Sequence, residues 1–237
     1  MSSLKYIYNT ENKYEIGIDE AGRGPLFGRL YVAAVVLPED ETHLFNNPNI
    51  KDSKKIKSKK KMNELSELIK THAAAWAIHY IEHDVIDTIN IRQAVFQGMH
   101  ECIRQIMNTL QINPVTSETT SETTSKTFLL VDGNDFKPYT IFDNERDTLF
   151  TIPYETIEGG DNKYIAIAAA SILAKCARDN YIHELCQMNT QLSERYSIDT
   201  NMGYGTKAHL DGILRHGITQ WHRKSYARCN GSPYNPI

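Results

Sequence analysis

Nowhere in the 237 residues does an apolar run approach the roughly 18 consecutive positions that a membrane-spanning helix needs. The opening stretch, MSSLKYIYNTENKYE, also lacks the apolar core of a secretory signal. These two absences predict a cytoplasmic chain with no membrane partner. Cysteine is scarce. Cys102, Cys176, Cys186 and Cys229 show no CxxC spacing, which argues against a zinc site or a disulfide framework and reads as reduced thiols. A large excess of positive charge is missing too: the net charge of -3 excludes a uniformly basic nucleic-acid binder.

What is present is the composition of a folded chain. Hydrophobic residues make up 41% and charged residues 23%, which excludes an intrinsically disordered protein. The length suits one main domain, because single cores run to about 200 to 250 residues. The charge is segregated. Residues 51–61, KDSKKIKSKKK, hold seven lysines against Asp52, and residues 203–228 hold five basic side chains against Asp211, so the remainder is acidic. A lysine run is ordinarily a solvated helix start, yet two basic segments on an acidic background invite a phosphate-bearing partner.

EIGID (15–19) and RLYVAAVVL (29–37) read as strands joined by the turn-rich AGRGPLFG, and AAAWAIHYIE (73–82) as a third. Between them, Ile56, Met62, Leu65, Leu68 and Ile69 predict a helix starting near Ser58. The stripe Ile91, Val95, Met99, Cys102, Ile103, Ile106 and Leu110 predicts another. The SETT-repeat segment 116–127 is expected to be a flexible low-complexity loop. TFLLVD (127–132) and PYETIE (153–158) read as strands, 163–194 as one or two long helices, and 206–217 as a helix closed by Gly217. A strand that follows a helical crossover tends to run parallel to its neighbour. TFLLVD is therefore expected beside the first strand, bringing Asp19 and Asp132 to one edge although 113 positions separate them.

Carboxylates close both of those strands: Asp19 and Glu20 the first, Asp132 the other, while Asp161 opens a helix. Each alone has a plain structural use, as turn former or helix cap. Four brought together repel strongly unless cations sit among them or some are protonated. Oxygen donors without clustered Cys or His suit a hard ion, magnesium or manganese rather than zinc. Two such ions would clamp the attacking and leaving oxygens of a phosphoryl displacement. The glycines of Gly22-Arg23-Gly24 either permit a bend or let backbone approach a ligand. A ribose 2'-hydroxyl is one group that such amides can read.

The blocks GIDEAGRGPLFG (17–28), DSKK (52–55), LLVDGN (129–134), GGDNKYIAIAAASILAKCARD (159–179), GYGTKAHL (203–210) and HRKSY (222–226) stand in the order found in ribonuclease HII, and the chain resembles that family from about Gly17 to Tyr226. The resemblance implies an α/β fold: a ribonuclease H-like mixed five-stranded sheet flanked by helices, with a helical C-terminal part. It implies a catalytic core over 1–195 and a C-terminal substrate-binding segment over 196–237. By the same resemblance Asp19, Glu20, Asp132 and Asp161 hold two Mg2+ or Mn2+ ions. Gly22, Arg23 and Gly24 read the ribonucleotide with Tyr204, which is otherwise a half-buried core aromatic, and Lys54 and Arg223 contact phosphate.

The implied activity is endonucleolytic hydrolysis of RNA–DNA hybrids and of single ribonucleotides in duplex DNA, by a monomer. A hybrid-binding subunit silent without accessory proteins is the alternative. A nucleotide-binding enzyme is disfavoured because GRGPLFG fits no phosphate-loop spacing. Asp132 and Asp161 stand 29 positions apart, with FDNERDTLF (142–150) as an insertion between them, so Asp135, Asp143 and Asp147 compete for the fourth carboxylate role.

Overall fold

The apolar runs of the first third of the chain become strands. In the computed structural model, which describes residues 4–39, 45, 50, 56, 58–112, 127–143 and 147–237, β1 (Tyr14–Ala21) and β2 (Leu30–Val36) are the expected pair. α1 (Lys59–His72) follows, starting after Ser58, whose side chain accepts from the Lys61 N–H. Then come β3 (Ala75–Ile81), α2 (His83–Ile89), α3 (Ile91–Thr109) and β4 (Thr127–Asp132). β5 (Thr140–Asp143), β6 (Thr148–Thr151) and β7 (Tyr154–Ile157) precede α4 (Ile165–Met188), α5 (Gln191–Tyr196), α6 (Ile198–Asn201) and α7 (Lys207–His216). The last is closed by Gly217, as expected, at φ 76° and ψ -166°, a backbone conformation that favours glycine.

The five-stranded mixed sheet has the order β3-β2-β1-β4-β7. β2 is buried at every position, which explains why its sequence is an unbroken apolar run without alternation. β1 and β4 pair in parallel, Ile16 opposite Leu129 and Ile18 opposite Val131, and β4 pairs in parallel with β7. The expected adjacency of the first strand and TFLLVD is therefore observed. The insertion at 142–150 contributes its described residues to a separate antiparallel pair, β5 with β6, with Phe142 opposite Leu149. Strands of four residues with exposed faces carry no burial pattern for sequence to display.

By packing, the chain divides into two units. One comprises Met1–Glu20, Val32–His79 and Met99–Ala174 and carries most of the sheet; the other comprises Ala21–Tyr31, Tyr80–Gly98 and Lys175–Ile237. In the first, Ile16, Ile18, Leu129, Val131, Ala166, Ala169 and Ala170 are buried. A Cβ on Gly17 would lie 2.3 Å from the Ala166 carbonyl carbon, so β1 and α4 approach more closely than any side chain at 17 permits. In the second, Leu26, Phe27, Ile182, Leu192, Tyr196 and Ile213 form the core. No helix among the described residues is long and apolar enough to cross a membrane. All four cysteines are buried, and none is in a disulfide.

Candidate active site

Asp19 lies near the C-terminal end of β1, and the parallel register that sets Ile18 opposite Val131 makes Asp132 the next residue on the neighbouring strand. Asp19 is buried and accepts from the Glu20 N–H at 2.7 Å and from the Ser171 hydroxyl. Burial, then the charges of Glu20 and Asp132, hold its carboxyl well above the usual range despite those two hydrogen bonds. Asp132 Oδ1 accepts from the Gly160 N–H at 2.7 Å. Gly160 opens the 3-10 turn Gly160–Asn162 that carries the buried Asp161, whose Oδ1 accepts from the Asn162 side chain at 2.9 Å. Asp161 thus sits on a tight turn before α4 and not at the start of the helix itself. The register brings Asp19 and Asp132 to one sheet edge, and the Gly160 bond ties the Asp161 turn to Asp132.

Of the competing acids, Asp147 is exposed at φ 51° just before β6, and the side chain of Asp143 lies outside the described residues. Among the described residues no three His, Cys, Asp or Glu side chains are drawn up as a ready-made metal cage. The donor chemistry nevertheless fits a hard divalent cation. A buried carboxylate that two acidic neighbours push toward protonation is one that a nearby cation would return to its charged form.

The second unit holds the glycine loop. Gly22 has φ 98°, and a Cβ there would meet Arg178 Nε at 2.4 Å. A Cβ on Gly24 would lie 3.6 Å from Tyr204 Cε1, so the half-exposed Tyr204 ring packs on the loop although 180 residues separate the two. Lys54 falls outside the described residues. Arg223, expected to contact phosphate, is fully buried. Its Nε donates to the Gly28 carbonyl, one terminal nitrogen to the Gly22 carbonyl at 2.7 Å, and the other to the Arg23 carbonyl and the Tyr226 hydroxyl. Where a phosphate contact was expected, the buried guanidinium anchors the loop, donating to three backbone carbonyls and the Tyr226 hydroxyl.

Arg178 is also buried, donating to the Met202 carbonyl at 2.9 Å, and burial with the nearby Arg223 pulls it down to about 10. Beside Arg223 the Thr219 N–H donates to His222 Nδ1 at 2.9 Å, which places the His222 proton on Nε2. That nitrogen lies 3.0 Å from His209 Nε2, and His209 Nδ1 then donates to the Tyr204 carbonyl at 3.0 Å.

A family model for ribonuclease HII matches residues 16–229. The chain belongs to the ribonuclease HII family. A curated ribonuclease HII from Parabacteroides distasonis is 41% identical over 219 residues, covering 92% of this chain and 92% of that one. The ribonuclease H2 of Pyrococcus horikoshii OT3 shares the fold at 20% identity, TM-score 0.60, with 91% of this chain and 95% of that one covered. A ribonuclease HII from Archaeoglobus fulgidus, solved in a complex with PCNA, matches at 25% identity and TM-score 0.57 over 85% of this chain and 87% of that one. Membership makes the chain a divalent-metal-dependent endoribonuclease with the ribonuclease H-like sheet expected of it.

Several residues that hold these two groups escaped the sequence reading. Ser171 lies inside the GGDNKYIAIAAASILAKCARD block and its hydroxyl reaches Asp19. Arg178, His209 and Tyr226 lie inside the quoted blocks, but nothing in a linear sequence says that a charged side chain points inward. Which polar side chains end up buried is a tertiary fact.

Proposed function

We propose that the chain hydrolyses the RNA strand of RNA–DNA hybrids and cuts at single ribonucleotides embedded in duplex DNA, leaving 3'-hydroxyl and 5'-phosphate ends. Asp19, Glu20, Asp132 and Asp161 supply oxygen donors for two Mg2+ or Mn2+ ions. Bound there, such ions supply counter-charge to the phosphodiester and acidify the attacking water. The observation that carries the reading is the buried Asp19 carboxylate, held between the charges of Glu20 and Asp132 by a strand register that sequence-distant segments create. Ser171 and the Glu20 amide fix the orientation of Asp19, and the Gly160 amide fixes that of Asp132. The chain continues from Glu20 through Ala21 into the glycine loop, so the metal-ligand strand and the proposed ribose reader are one segment.

In this reading the backbone of Gly22, Arg23 and Gly24 recognises the 2'-hydroxyl, Tyr204 stacks on the sugar or base that follows, and Lys54 lends a positive charge to phosphate. Residues 196–237 serve as the substrate-binding segment through Tyr204. The buried cations Arg178 and Arg223 give the unit that carries the loop a positive bias suited to a polyanion. Asp132→Asn is the deciding variant, because the amide oxygen still accepts from Gly160 while the charge is lost. With Mg2+ or Mn2+ present, cleavage of a duplex holding one ribonucleotide is expected to fall at least about a thousandfold while hybrid binding persists. Cleavage at the wild-type rate would overturn the assignment.

A further inference from the structure

The anchoring of the glycine loop has a directional consequence. Arg223 donates to the carbonyls of Gly22 and Arg23, and Tyr226 Oη donates to the Arg23 carbonyl at 2.7 Å. In a trans peptide the C=O and the following N–H point in opposite directions, and no cis peptide occurs among the described residues. Two consecutive carbonyls turned toward one buried guanidinium therefore turn the N–H groups of Arg23 and Gly24 away from it. Pro25 follows and has no N–H, so the donor run stops at Gly24. Arg223 is itself fixed from behind: Asp87 accepts the N–H groups of Lys224 at 2.8 Å and Ser225 at 2.9 Å, which pins the turn carrying the guanidinium.

We infer that Arg223 is a positioning residue for ribose recognition: its guanidinium sets the direction of the Gly24 amide, and of the Arg23 amide beside it, toward the 2'-hydroxyl. This rests on the ribonucleotide-reading function proposed above. A planar fork bound to three carbonyl oxygens in fixed directions cannot be reproduced by a lysine, whose charge sits at one point. Arg223→Lys keeps the charge and loses the geometry. Tyr226→Phe leaves Arg223 in place and removes only the hydroxyl that shares its load.

The test has two stages. First, the wild-type chain with Mg2+ or Mn2+ is given a duplex holding one ribonucleotide; absence of cleavage defeats the function and says nothing about Arg223. Second, with metal chelated, dissociation constants are measured by anisotropy for that duplex and for its all-DNA counterpart. The preference of the wild-type chain for the ribonucleotide is expected to fall about tenfold in Arg223→Lys, the worth of one well-placed hydrogen bond, and about threefold in Tyr226→Phe. Binding of the all-DNA duplex should stay within twofold in both.

Equal weakening of both duplexes by Arg223→Lys would show a phosphate contact and overturn the inference, and so would an unchanged preference. Should Arg223→Lys fail to fold, Tyr226→Phe decides alone, an unchanged preference again counting against. A wild-type chain that cleaves but binds both duplexes alike removes the inference as well.

Discussion

His222 is neutral in the folded chain across most of the pH range. Burial first, then His209 and His83, push it down to about 3, while the unfolded imidazole titrates near 6.5. The folded state therefore refuses a proton that the unfolded state accepts between those values. The stability this contributes is complete above about pH 6.5 and is lost progressively as pH falls toward 3, amounting to a few kcal/mol at the acid end. His209 is lowered in the same direction, chiefly by burial, and its hydrogen bonds to the backbone of Tyr204 and Gly203 oppose the shift. In His222→Asn the Asn carbonyl can still accept from Thr219. Its melting temperature should start lower at pH 7.5 and decline less steeply to pH 4.5 than the wild type's. Parallel declines would count against the assignment. At this scale sequence identified which residues matter more readily than what they do: Arg223 was expected to contact phosphate, and its burial on backbone carbonyls makes it an anchor.

Between elements, the spacing of β1 and α4 is the tightest demand. A methyl on Gly17 meets the Ala166 backbone at 2.3 Å, and backbone within a buried helix has nowhere to move. Gly17→Ala should cost about 2 to 3 kcal/mol, a fall of roughly 5 to 10 °C in melting temperature by calorimetry. A fall under about 2 °C would mean that the strand and helix can separate freely. Long patterned elements such as α3 and β2 were readable from sequence because burial repeats along them. The helix α2 was not, since it offers only Ile86 as a buried residue, and neither was the β5–β6 pair. The parallel partnership of β1 and β4 was readable for a different reason: a crossover leaves few topologies open.

Across the whole molecule a net charge of -3 coexists with basic segments at 51–61 and 203–228. If these meet phosphates, hybrid affinity measured without divalent metal should fall steeply with salt, with a log–log slope of about -3 to -5, since each phosphate neutralised contributes about -0.9 on a duplex. A slope near zero between 50 and 200 mM salt, the range over which such binding ordinarily collapses, would exclude both segments from the interface.

The sequence by itself determined the family, the sheet and the identity of the acidic and glycine-rich residues, because these depend on residue type, order and local period. Only the tertiary structure decided that Asp19 is buried against like charge, that Ser171 reaches it, and that Arg223 faces inward onto the carbonyls of its own loop. Those facts depend on which distant segments share a dielectric environment and on which way a side chain points, and a one-dimensional pattern encodes neither.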